Sequence, residues 1–197
     1  MKGFTSHTGI AAPLLRDNID TDQIIPSREM KTVSKDGLGE GLFAGQRYIK
    51  AGSRDPNPDF ILNKPEYAKA TILVSGKNFG CGSSREHAVW ALKEFGVRAI
   101  LAESFGEIFF NNCVRNGILP IQLPMSDIKV ITQSPKLVVD LPNQTISSAG
   151  HIYAFDISSA NKDMIMNGLD PIDLTLAHKS EIDTFLESDK TARPWVY

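Results

Sequence analysis

Apolar residues fall into short blocks along the chain, and the spacing inside the blocks changes with position. Residues 70–76 (ATILVSG) form a β-branched apolar run closed by glycine, too short for a helix and suited to a buried strand. After a polar, glycine-rich loop over 77–82, Ala88, Leu92 and Phe95 recur at helical spacing. Ser83 and Glu86 stand in the order of a capping box, and Gly96 supplies a left-handed stop. The same order returns downstream. Residues 97–102 read as a strand, Ser104 and Glu107 as a second capping box, and Phe105, Ile108 and Phe109 as one helical face. Gly117 is the stop and 118–123 a third strand. This strand–helix–strand–helix–strand series predicts parallel strands joined by right-handed connections.

Beyond it, 136–141 and 144–146 flank Pro142-Asn143 and 151–157 is again extended, which predicts an antiparallel addition. Residues 170–186 read as a helix with Pro171 near its start and Leu174, Ile182, Phe185 and Leu186 available to close the core. The 36–65 region, broken by Gly and Pro, is expected to be loop-rich and mobile. The whole reads as a single α/β domain over 1–197, with parallel strands, flanking helices, an antiparallel layer and a helical part over 158–197.

Composition narrows the function. With 42% hydrophobic and 22% charged residues the chain has the makeup of a folded globular domain. A net charge of -2 gives no cationic field for a nucleic-acid backbone, so small-molecule chemistry is favoured. The N-terminus lacks the pattern of a secretory leader and no apolar run is long enough to cross a bilayer, so a soluble, cytoplasmic protein is expected. The two cysteines, Cys81 and Cys113, form neither a CxxC pair nor a zinc spacing, and a disulfide framework is not expected.

The chemistry concentrates in residues 76–87 (GKNFGCGSSREH), between a strand and a helix N-terminus. Free backbone N–H groups and the helix dipole attract an anion there, three glycines let a ligand approach the backbone, and Arg85 adds a fork suited to a carboxylate. The plainer alternative is a tight turn with Ser83 as a helix cap. A nucleotide P-loop is disfavoured because no Lys precedes the serine pair, and a serine hydrolase because the Gly-x-Ser-x-Gly elbow is missing.

The stretch GKNFGCGSSREHA resembles the signature of the aconitase superfamily's swivelling domain. Supporting segments are DNIDTDQIIP (17–26), NPDFILN (57–63), SFGEIFFNN (104–112) and NGILP (116–120), in the order found in small subunits of bacterial isopropylmalate dehydratases. The resemblance implies a swivelling β/β/α domain and a hydro-lyase that removes and returns water on a small hydroxy-dicarboxylic acid, interconverting 2- and 3-isopropylmalate in leucine synthesis. It also implies that Ser83 is the catalytic base, that Asp22 matches the acidic residue of the family's Thr-Asp motif, that Ser84 and Arg85 bind substrate, and that a 4Fe-4S cluster is carried by a large-subunit partner. This chain is expected to bind no metal, with Cys81 and Cys113 as packing residues.

In the family the loop after the Asp-Thr-Asp segment helps select the substrate. Here it runs from Pro26 to Leu38, and Arg28 and Lys31 are candidate carboxylate partners against the plainer reading of solvated surface cations. Lys35-Asp36-Gly37 departs from the Arg-Thr-Gly of many relatives, which keeps citraconate, dimethylmalate and homoaconitate as alternative substrates. A non-catalytic, RNA-binding relative is a further alternative. Glu86 and His87 are read as helix-orienting residues, and His7, His151 and His178 as structural or surface residues.

Overall fold

A computed structural model describes residues 3–30 and 36–197. Strand β1 (Ser6–Leu14) is followed by two one-turn helices, α1 (Thr21–Ile24) and α2 (Ala44–Arg47). Then come β2 (Ala70–Ser75), α3 (Glu86–Phe95), β3 (Ala99–Ala102), α4 (Glu107–Asn116), β4 (Leu119–Gln122) and α5 (Met125–Ile131). Strands β5 (Lys136–Asp140), β6 (Thr145–Ser148) and β7 (His151–Ala154) lead into helices α6 (Ser159–Asn167), α7 (Pro171–Leu176) and α8 (Lys179–Ala192).

The strands form one sheet in the order β4-β3-β2-β1-β5-β6-β7. Strands β1 to β4 pair in parallel and β5 to β7 antiparallel, so the expected mixed α/β architecture is present. β1 is the seam between the two halves, parallel to β2 and antiparallel to β5. The residue pattern does not announce it. Pro13 lies opposite Val74 in an inner strand, where proline is normally avoided, but the β5 pairing ends at Ile10, short of it, and the register with β2 shifts between Ile10 and Ala11. Ala11 and Ala12 are buried on opposite faces, which removes the polar alternation that marks a half-exposed strand.

Period-two alternation then sorts the core into two layers. Leu73, Ile100 and Ala102 face α3 and α4, whereas Ile72, Val74, Ala99 and Leu101 face the other side. On that side the sheet curls. Leu119 and Ile121 of β4 share a cluster with Leu137, Val139 and Ile146 of β5 and β6, and Ile128 and Ile131 of α5 fill the concavity. Each such side chain, fully removed from water, contributes about 1.5–3 kcal/mol.

On β1, His7 Nε2 lies 2.7 Å from Thr71 Oγ1. Burial, and then the nearby Arg98 charge, hold the imidazole below its ordinary pKa. A group whose folded pKa is depressed loses its contribution as pH falls, because the unfolded chain takes up the proton first. Thermal stability should therefore decline as pH is lowered from about 6.5, the ordinary histidine value, and His7→Gln should flatten that decline in a melting series.

Four expectations are modified by the fold. Neither capping box forms: Arg85 and Gly106 occupy the N-cap positions of α3 and α4, with no side-chain cap at either. Ser104 Oγ instead accepts the Asn78 N–H at 2.8 Å, and Glu86 accepts from Asn116 Nδ2 at 2.7 Å. Ile108 is 54% exposed and leaves the face that Phe109 buries. The 170–186 helix is broken at His178 into α7 and α8, and it does not close the core: Leu174, Ile182 and Leu186 are only half-buried, and Phe185 is exposed. The 36–65 region is loop-rich, yet Leu38, Leu42, Phe43, Phe60 and Leu62 sink into the layer over α3 and α4. Asn63 Nδ2 ties it further by donating to Arg47 O at 2.6 Å and Asn57 O at 2.8 Å.

Candidate active site

The loops leaving the C-terminal ends of β1 and β2 continue side by side past the strands. Asn18 N donates to Lys77 O (2.8 Å), Gly80 N to Ile19 O (2.7 Å) and Thr21 N to Cys81 O (3.0 Å). The loop after β3 joins the other flank, with Phe79 N donating to Ser104 O at 3.0 Å and Gly106 N to Phe79 O at 2.9 Å. Three parallel strands thus converge on one rim, the end of an open α/β sheet where ligands characteristically bind.

Gly80 makes this convergence possible. Its φ is +75°, and an added Cβ would meet the Phe109 ring at 2.1 Å. That ring belongs to the core, 5.4 Å from the Phe79 ring. Gly80→Ala should therefore destabilise the fold by about 2 kcal/mol through overpacking and backbone strain, read as a lowered urea midpoint.

Ser83 and Ser84 are exposed in the turn before α3. The Ser83 carbonyl accepts from Thr21 Oγ1 (3.1 Å) and from the Arg85 N–H (2.8 Å), which pins the backbone of the pair to α1. Arg85 then crosses to the β1 loop. Its Nη1 bonds Asp22 Oδ1 and Ser27 Oγ, the latter at 3.2 Å, and Ser27 Oγ donates to Asp22 Oδ1 at 3.3 Å. Asp22 sits in the first turn of α1, whose start is capped by Asp20 accepting the Gln23 N–H at 2.7 Å. Beside this cluster opens a shallow cleft of about 430 Å³, walled by Asp22, Pro26, Ser27, Arg28, Gly45 and Gln46.

Of the residues singled out by sequence, Asp22 and Arg28 line this cleft, Arg85 meets its edge through its bonds to Asp22 and Ser27, and Ser83 is tied to α1 by its carbonyl, which accepts from Thr21 Oγ1. Lys31 lies outside the described residues. Ser27, the bridge between Asp22 and Arg85, and the Gly45-Gln46 wall were not singled out; they become visible only when the chain is folded. The His87 ring packs at a tilt against Trp90 with ring centroids 4.8 Å apart, and Trp90 Nε1 donates to Asn116 Oδ1 at 3.1 Å, so this helix face is used to hold α3 to α4.

The thiols do not form a cluster site. Cys113 is fully buried, which pushes its pKa well up; burial and then Asp20 raise that of Cys81. Both favour the protonated thiol rather than the thiolate that iron requires. Among the described residues, no three His, Cys, Asp or Glu side chains gather as a set able to hold a metal ion. The residues present do not fit an iron–sulfur cluster. No helix among the described residues is long and apolar enough to cross a membrane.

Known proteins resemble this chain in sequence and fold. The Aconitase C-terminal domain family matches residues 1–126. A 3-isopropylmalate dehydratase small subunit of Cupriavidus necator is 56% identical over 100% of this chain and 99% of its own length. Its counterpart in Agrobacterium fabrum is 48% identical over 99% of this chain and its whole length. The crystal structure of a 3-isopropylmalate dehydratase from Methanocaldococcus jannaschii superposes with a TM-score of 0.65 at 25% identity, covering 91% of this chain and 98% of that one. The chain belongs to the aconitase C-terminal domain family and, within it, to the small subunits of 3-isopropylmalate dehydratase.

Proposed function

We propose that this chain supplies one wall of a dehydratase site shared with a large-subunit partner, interconverting 2- and 3-isopropylmalate by loss and return of water in leucine synthesis in the cytoplasm. The observation that carries the reading is the match to relatives of that name over the whole chain, with Ser83-Ser84-Arg85 set at the N-terminus of α3 beside the Asp22 cleft. A 4Fe-4S cluster on the partner would supply a Lewis acid for the substrate hydroxyl.

This chain's own part is binding and proton transfer. Arg85 grips a substrate carboxylate, which displaces the single Asp22 oxygen now held at Nη1 and engages the fork. Exchange of one carboxylate for another leaves the guanidinium paired throughout, so substrate entry does not strand a charge. Released from Arg85, Asp22 stays at the cleft edge as a proton-handling group, and Arg28 offers a cation to a second carboxylate. Ser83 takes the proton from the carbon next to the carboxylate. A serine is a poor base in water, so its oxyanion needs the N-terminal amides of α3, the Ser84 N–H and the Arg85 charge in a site from which the partner excludes water.

The substrate assignment is tested by comparing kcat/KM of the assembled pair on isopropylmaleate, citraconate, a dimethylmalate and homoaconitate. Preference for isopropylmaleate by about tenfold or more, the discrimination expected of a pocket shaped for a branched apolar group, supports it. Preference for another acid overturns the substrate and keeps the reaction class.

A further inference from the structure

Helix α3 carries the Ser83-Ser84-Arg85 turn at its start and Glu94 near its end. The Glu94 carboxylate reaches the opposite wall of the cleft's support: Oε1 accepts the Gly37 N–H and Oε2 the Gly39 N–H, each at 2.7 Å. Using one oxygen per donor is a grip that only a carboxylate provides, since an amide would turn its own NH2 toward one of the two N–H groups. Burial pushes the Glu94 pKa up, but the backbone N–H groups of Gly37, Gly39 and Leu38 together outweigh it and hold the group below its ordinary value, so it stays charged.

Gly39 also lies directly on the helix. A Cβ there would sit 3.1 Å from Phe95 N and 3.3 Å from the Glu94 carbonyl carbon. From Gly39 the contact passes on, because Arg47 Nη1 donates to Gly39 O at 3.0 Å while its guanidinium stacks over Phe95 at 4.8 Å. Arg47 ends α2, whose Gly45 and Gln46 wall the cleft; Gln46 Oε1 accepts from Arg16 Nη1 at 2.5 Å.

We propose that Glu94 is a positioning residue for the substrate cleft: by clamping Gly37 and Gly39 to α3 it sets where Gly45 and Gln46 stand opposite Asp22 and Arg28. The same helix then fixes both the serine turn and the facing wall. This inference rests on the dehydratase reading of the cleft.

The test is steady-state kinetics of the complete two-subunit complex carrying Glu94→Gln or, independently, Gly39→Ala in this chain. Each variant should raise KM for 2-isopropylmalate about tenfold and leave kcat within about twofold, because cleft shape and not the proton-transfer group has changed. Glu94→Asp, which keeps the charge on a shorter arm, should recover part of the KM. A merely structural role would lower the melting temperature and leave KM per active site unmoved. Unchanged KM in both variants of an active complex, or a fall confined to kcat, overturns the positioning role. Inactivity of the wild-type complex on isopropylmalate and the related acids instead overturns the dehydratase reading, and the positioning role with it.

Discussion

Ser83→Ala lowers kcat of the assembled enzyme by about 10³-fold, within the range for removal of a positioned general base, while KM and complex formation stay within about twofold. The side chain is exposed and its loss opens no cavity, and the backbone here is held by the Ser83 carbonyl, which alanine keeps. The effect should therefore be confined to the chemical step. Isothermal titration of substrate into the mutant complex checks this: retained affinity with lost turnover is the expected pair of results.

Arg85→Lys lowers kcat/KM by about 10²-fold, since an ammonium replaces a planar fork and the two parallel bonds to a carboxylate cannot both form. The change keeps the charge, so the loss measures geometry. In the free chain one nitrogen, Nη1, reaches both Asp22 and Ser27, contacts that a lysine ammonium can also make, so the expected loss comes from the bidentate grip on substrate alone. Because both partners are partly exposed, the salt bridge itself adds little to stability, and the melting temperature of the variant should move by no more than about 2 °C. A comparable loss of activity and stability would mean that Arg85 holds the fold and does not bind substrate.

What the residue pattern disclosed was local. β2, α3, β3, α4 and β4 follow from apolar runs and glycine stops, because Gly96 and Gly117 take the left-handed conformation that ends each helix. β1 escaped because its evidence is tertiary: a strand with Pro13 and two alanines is stable only between β2 and β5. The capping boxes misled for a related reason. A serine three residues before a glutamate is a cap only if the turn between them is helical, and here Arg85 and Gly106, the residues just before the two glutamates, are extended. The site was legible as a turn rich in glycine and serine before a helix, and as an arginine that binds anions. The Asp22–Arg85 contact spans 63 positions, and no spacing rule reaches that far.

The C-terminal arm shows the opposite case. Leu174, Ile182, Phe185 and Leu186 have the helical spacing of a docking face, yet Ile172, Leu176, Phe185 and Trp195 are exposed. Periodicity reports that a face is apolar, not what covers it.

The most direct measurement is hydration of isopropylmaleate under anaerobic conditions by this chain alone, by its large-subunit partner alone and by the two mixed. Turnover only in the mixture, abolished when Ser83→Ala replaces the native chain, is the result a shared site predicts. Turnover by either chain alone, or an unimpaired Ser83→Ala mixture, would contradict it.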